Sequence, residues 1–263
     1  MSEARARKIL TFKTKKEISG FVLKRWAELS RKEIRRKRRF VVALSGGRTP
    51  VELYRCLADS GDVLPWEKIH LFLADERFVS PDDPDSNYGI IRENLLRHIS
   101  LPHENVHPIK ILGTPSISAR RYEREIETFF HLKKGAWPRF DLIILGIGED
   151  GHTASLFPNH PALTEDGHLA VPVRLDETEH DRISLTLPVI NRAKAVFFLV
   201  AGKHKAEIIK KILEGRQVGL PASLVKPTRG EVLFLLDRGA SSLLSKNLNV
   251  FAYKTGWRGA CQE

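Results

Sequence analysis

The chain has 263 residues, of which 42% are apolar and 29% charged, with 43 Lys and Arg against 32 Asp and Glu. This length and apolar content fit one large α/β domain or two small ones with a substantial core, and the longest apolar runs, such as 195–201, are strand length and too short to cross a membrane. The N-terminus is too charged for a secretory signal, and two cysteines without metal-ligand spacing argue for a reducing compartment and against a disulfide scaffold, which makes a cytoplasmic location the expectation.

Residues 1–39 hold 15 Lys and Arg against 4 Asp and Glu, and the remaining 224 residues hold 28 of each sign. The whole net charge of +11 therefore sits in a basic N-terminal arm and first helix. Two readings stand: a polyanion contact, or a solvated helix end whose Lys and Arg oppose the helix dipole. No recognition-helix pattern accompanies the charge, so nucleic acid is not an expected partner.

Ile18, Phe21, Val22, Trp26 and Leu29 fall at helical spacing and predict a helix over 15–37. Residues 40–44 read as a buried strand. Thr49, Pro50 and Glu52 predict the start of the next helix, with Thr49 as N-cap in a capping box; it runs to about Asp59. A second strand covers 69–74 and ends at Asp75-Glu76-Arg77. A polar loop over 80–87, a helix near 88–98 and another over 120–132 follow. Strands are expected at 141–145, 183–187 (a strand or edge piece), 196–200 and 232–236, with a helix over 203–213. Alternating helices and continuously apolar strands indicate an α/β fold: a three-layer α/β/α arrangement around a mostly parallel, Rossmann-like open sheet. No linker is evident, so 1–263 reads as a single domain.

Two turns carry the chemistry. Ser45-Gly46-Gly47-Arg48-Thr49 lies between a strand and a helix start. There, glycines let backbone N–H groups approach an anion, and the helix N-terminus adds partial positive charge. The same spacing also suits an ordinary tight turn, and the Lys-Ser/Thr ending of a Walker loop is absent. Gly146-Ile-Gly-Glu-Asp-Gly151 formally matches a dinucleotide fingerprint. Pro158 follows too soon for a full helix, however, and Asp150 would face a pyrophosphate, so that reading is rejected. The alternative is acid–base chemistry by His152 with Asp150 two residues before it; a loop histidine bonded to backbone is the competing reading. Arg77, Arg182 and Lys205 each stand at a strand end or helix start where a phosphate contact is possible, although each alone also suits a surface charge. Asp75 and Glu76 offer Arg77 a structural ion pair. His98, His103 and His107 lack a Cys/Glu frame for zinc, so no metal is expected.

Ala43–Pro50, Ala74–Val79 with Ser86-Asn87, Gly146–Pro158, and Arg182–Pro188 with Gly202–Lys205 resemble, in order and spacing, the 6-phosphogluconolactonases of the glucosamine-6-phosphate isomerase/6-phosphogluconolactonase family. The resemblance spans roughly residues 40–215. It implies a single α/β/α domain, no metal or organic cofactor, and hydrolysis of 6-phosphoglucono-1,5-lactone in the oxidative pentose phosphate pathway. By the same resemblance His152 is the general base and Asp150 its support or a holder of substrate hydroxyls. Ser45, Gly46, Gly47, Thr49, Arg182 and Lys205 hold the phosphate, and Asp75, Arg77 and Asn87 belong to the substrate site. Arg77 is left between phosphate and developing oxyanion. Arg48 departs from the serine more usual in the phosphate loop and adds a cation to it. Glucosamine-6-phosphate deaminases are similar in both turns but carry a glutamate five residues beyond the histidine. Here that position is Phe157, whose ring is expected neither to orient nor to protonate anything, which favours the lactonase. Two alternatives remain: a deaminase-like isomerase, and a noncatalytic sugar-phosphate sensor with a nucleic-acid-binding arm.

Overall fold

A computed structural model describes residues 7–175, 180–215, 219–245 and 248–253. Residues 1–6 of the basic arm lie outside it. In chain order the strands are β1 (Lys8–Phe12), β2 (Phe40–Leu44), β3 (Ile69–Leu73), β4 (Asp75–Arg77), β5 (Val106–His107), β6 (Leu142–Leu145), β7 (Ala170–Val173), β8 (Arg182–Leu185), β9 (Ala195–Val200), β10 (Glu231–Asp237) and β11 (Val250–Ala252). The helices are α1 (Lys15–Lys37), α2 (Val51–Ala58), α3 (Asn87–Asn94), α4 (Pro115–Phe130), α5 (Leu187–Ile190), α6 (Ala206–Glu214) and α7 (Pro221–Leu224), with short 3₁₀ turns between some of them.

The main sheet has eight strands in the order β11-β1-β10-β9-β6-β2-β3-β5, every pair parallel. With helices on its faces it forms the expected three-layer α/β/α fold. All residues of β2, β6 and β9 are buried, which is why those strands read as unbroken apolar runs. Successive strands β2, β3 and β5 step towards one edge, while β6, β9 and β10 step towards the other. The order thus reverses between β2 and β6, and the crevice beyond the carboxyl ends of these two strands is where an open α/β sheet receives a ligand.

Helix α1 begins as its sequence suggests. The Thr14 hydroxyl accepts a hydrogen bond from the Glu17 N–H as N-cap, and the Glu17 carboxylate accepts one from the Lys13 N–H just before it. Val22 and Trp26 are fully buried on its inner face. The helix ends at Arg38 in a left-handed conformation, φ 67°. Part of its basic end is tied to the fold. Lys37 Nζ and Lys194 Nζ each lie 2.8 Å from the Asp141 carboxylate, Glu33 bridges Lys194 and Arg36, and the Arg39 guanidinium lies 4.4 Å from the centre of the Phe129 ring.

Several expectations need correction. Thr49 does not cap α2: Pro50 occupies the N-cap position, with no side-chain cap bond. Helix α3 stops at Asn94 and gives way to a 3₁₀ turn at Leu96–His98, and α4 starts at Pro115 with Thr114 as its cap. Of the two readings of the 183–187 segment, a strand and an edge piece, the strand holds, over Arg182–Leu185. It is the central strand, β8, of a three-stranded antiparallel sheet ordered β4-β8-β7. Strands β1, β5, β7 and β11 were not anticipated. Cys56 is buried on α2, 4% exposed; Cys261 lies outside the described residues. Among the described residues no helix is long and apolar enough to cross a membrane.

Candidate active site

Because β2 and β6 pair in parallel, Leu44 beside Ile144, the two glycine turns leave the sheet side by side. They open on one cavity of ≈ 210 Å³ whose lining includes Ser45, Gly46, Gly47, Arg48, Thr49, Asp75, Arg77, Asn87, His152, Arg182 and Lys205. Every residue expected at the site except Asp150 lines this cavity. Pro50, Gly146, Ile147, Gly148 and Ala154 complete it.

Asp150 stands behind His152 instead. Its Oδ1 lies 2.6 Å from His152 Nδ1 and also accepts the His152 backbone N–H at 3.1 Å. Burial pushes the Asp150 carboxyl up, but the hydrogen bonds from His152 outweigh this and hold it below its ordinary range. An ionised Asp150 fixes the tautomer with hydrogen on Nδ1 and leaves Nε2 with a free lone pair, the form a general base requires. The turn is built for this pair. Gly148 N–H donates to His152 O, and a Cβ at Gly148 would fall 2.1 Å from His152 Nδ1 and 2.5 Å from Asp150 Oδ1, so only glycine fits there.

At the other end of the cavity, a Cβ at Gly46 would lie 1.9 Å from Asn87 Oδ1. The bare backbone of the Ser45–Thr49 turn thus lets Asn87 in. Asn87 Nδ2 donates to the Asp75 carbonyl at 3.0 Å. Glu76, which is buried, accepts the backbone N–H groups of Asn87 and Tyr88 at 2.7 and 2.8 Å and so holds the first turn of α3. Burial drives the Glu76 carboxyl up to about 7, against the pull of these N–H donors. Asp75, 5% exposed, accepts from the Ser155 hydroxyl at 2.8 Å. The ion pair offered to Arg77 is not formed among the described residues: Glu76 takes the Arg77 backbone N–H, and the Arg77 guanidinium donates to the Asp85 carbonyl.

Arg77 and Arg182 are direct cross-strand partners in the β4–β8 pair. Like charges placed opposite each other destabilise a sheet, and both line the cavity with Arg48 and Lys205. Burial lowers the Lys205 ammonium from its usual range, with Glu149 and Asp150 opposing the shift. The Ser45 hydroxyl, Arg77 Nε and Asn87 Oδ1 are buried and make no hydrogen bond among the described residues. Polar atoms in that state cost about 1–3 kcal/mol each unless a ligand satisfies them. A cationic wall with unsatisfied polar atoms matches a bound anion, and His152, with Asp150 behind it, lines the same cavity. Glu76, Ser155 and Ser184 support the site from behind. The sequence suggested Glu76 only as an ion-pair partner of Arg77 and gave no sign of Ser155 and Ser184, because nothing local marks a residue that acts through another. Away from this cavity, His107 packs flat on Phe72, with ring centres 4.1 Å apart, and among the described residues no group of three or more His, Cys, Asp or Glu is arranged to hold a metal ion.

Comparison with known proteins adds an independent finding. The family described as glucosamine-6-phosphate isomerases/6-phosphogluconolactonase matches residues 13–234. A 6-phosphogluconolactonase of Synechocystis sp. is 45% identical over 206 residues, 77% of this chain and 84% of the relative, and one of Nostoc sp. is 41% identical over 215 residues, 81% and 88%. The solved structure of 6-phosphogluconolactonase from Trypanosoma cruzi is similar with a TM-score of 0.80 at 28% identity, covering 92% of this chain and 98% of that one.

Proposed function

The chain belongs to the glucosamine-6-phosphate isomerase/6-phosphogluconolactonase family, and from that premise we propose that it hydrolyses 6-phospho-D-glucono-1,5-lactone to 6-phosphogluconate. The observation that carries the reading is a single cavity lined by His152, which Asp150 holds from behind, by the facing Arg77 and Arg182 and by the diglycine turn. We infer in addition that the chain is one domain, supported by a main sheet continuous from β11 to β5. We place the reaction in the cytoplasm, where a phosphorylated substrate is held by its charge.

In this mechanism the phosphate is gripped by the Ser45–Thr49 turn with Arg48, Arg182 and Lys205. Asp75 and Asn87 face the sugar, and Arg77 meets the phosphate or the developing oxyanion. This remote anchor sets the lactone carbonyl against His152. His152 Nε2 takes a proton from water as the water oxygen bonds to the carbonyl carbon. The tetrahedral intermediate collapses with cleavage of the bond to the ring oxygen, and the imidazolium returns its proton there. Asp150 holds the ring and offsets the transient positive charge. Lactonase activity, followed by acid release above the spontaneous rate, tests the reading; a purified protein with none would refute it. Glucosamine 6-phosphate in the same assay, with ammonia as readout, separates the deaminase alternative.

A further inference from the structure

Five residues past His152, the chain has come back to it. Thr153 and Leu156 exchange backbone hydrogen bonds at 3.3 and 2.9 Å, with Ala154 between them in a left-handed conformation at φ 48°. This reversal is pinned to the small sheet from two sides: Ser155 N–H donates to the Ser184 hydroxyl on β8 at 3.2 Å, and the Ser155 hydroxyl donates to Asp75 on β4 at 2.8 Å. The result places the Phe157 ring against the His152 imidazole, centre to centre 4.5 Å with the planes inclined at 39°. The guanidinium carbon of Arg182 lies 5.2 Å from the centre of the same ring. Phe157, expected from the sequence to orient nothing, thus touches two residues of the site.

We propose that Phe157 is a positioning residue: one aromatic ring, in contact with both the catalytic imidazole and a phosphate-end guanidinium, sets the distance between the two ends of the site. The inference rests on the roles assigned above to His152 and Arg182. An aromatic ring suits both neighbours. Its face attracts a cation, so it holds Arg182 and tolerates the imidazolium formed during turnover, and it packs edge or face against a neutral imidazole. A rigid ring with two rotatable bonds transmits a fixed separation. The substrate, whose phosphate and carbonyl are a fixed number of bonds apart, needs that separation. Because the ring touches both ends, its loss affects binding and turnover together, unlike a group at one end alone.

The test is Phe157→Leu, which keeps apolar bulk and removes the ring, beside Phe157→Tyr, which keeps the ring. For Phe157→Leu, kcat falls on the order of tenfold and KM rises severalfold, a loss in keeping with small misplacements of reacting groups; Phe157→Tyr stays within about threefold of wild type. A second readout does not depend on activity. In wild type the ring-proton resonance of His152 is displaced by the Phe157 ring current, and in Phe157→Leu it moves towards the position of a free histidine. If Phe157→Leu fails to fold, Phe157→Met takes its place with the same expectations. Unchanged kcat and KM in a folded ring-less variant, a change in only one of them, or an unmoved His152 resonance would overturn the inference. If instead His152→Ala keeps wild-type kcat, the function reading itself fails, while the resonance still reports the ring contact.

Discussion

The two ends of the central sheet use the same residue types for opposite purposes. At the amino end of β6, Asp141 is 1% exposed; it accepts the Val41 N–H at 2.8 Å and is paired with both Lys37 and Lys194. Burial lowers the Lys37 ammonium from its usual range, and the ion pair with Asp141 works against that shift. At the carboxyl end, Arg48 and Lys205 line the cavity with no ion pair to a described carboxylate, and Arg77 faces Arg182. Charges paired across the amino end hold the fold; cations gathered around one cavity suit an anionic ligand. The +11 excess is therefore a poor guide to function taken as a total. Several of its members are structural, while the site's own cations belong to residues 40–263, which are neutral on balance.

This contrast can be broken by substitutions at each end. The largest expected effect is at the carboxyl end: His152→Ala lowers kcat by about 10²–10⁴-fold with an unchanged melting temperature, and steady-state kinetics with calorimetry would detect any departure. Next is Asp141→Ala at the amino end. It leaves Lys37 without its counter-ion and Lys194 with Glu33 alone, and lowers unfolding free energy by about 3 kcal/mol, read by urea titration, with kcat of the folded fraction unaltered. A large loss of kcat there, with stability intact, would mean that the two ends are not separable. Lys205→Ala removes one charge-assisted contact and raises KM about 10–100-fold with little change in stability; an unchanged KM would remove Lys205 from the phosphate end.

The smallest effect concerns pH and sharpens the structural side. Burial, then the nearby His107, pushes His70 down from 6.5 to about 4. The unfolded chain binds a proton at this residue below its pKa of 6.5 that the folded chain resists until about 4. The contribution is thus harmless above pH 6.5, and stability is lost progressively as pH falls towards 4. Urea midpoints of wild type and His70→Phe should diverge in slope across that window, the variant being flatter. Parallel slopes would show that His70 does not titrate as its burial implies.

Much of this site was legible because its parts are contiguous in the chain. A diglycine turn before a helix and an Asp-Gly-His turn after an apolar strand need only local spacing to be seen. The parts that were not legible depend on distant segments. Thr49 looked like a cap, but the turn presents it to the cavity instead. Phe157 looked inert, because its contacts to His152 and Arg182 exist only after the 153–156 reversal is pinned to β4 and β8. Strand β11 is a three-residue piece at one edge of the sheet, and β5 at the other edge has two residues. Such segments become strands by pairing with a neighbour already in place, and carry little periodicity of their own.

Sequence alone determined the layered α/β class, the buried strands β2, β6, β9 and β10, and the two turns with their chemistry, since each follows from side-chain hydrophobicity and backbone freedom within a few residues. Only the tertiary structure decided that β2 and β6 are neighbours at the point where strand order reverses, that Arg77 faces Arg182, and that Asn87 enters the space a side chain at Gly46 would fill. Strand order is set by how whole helices and strands pack together, and that is a property of residues far apart in the chain.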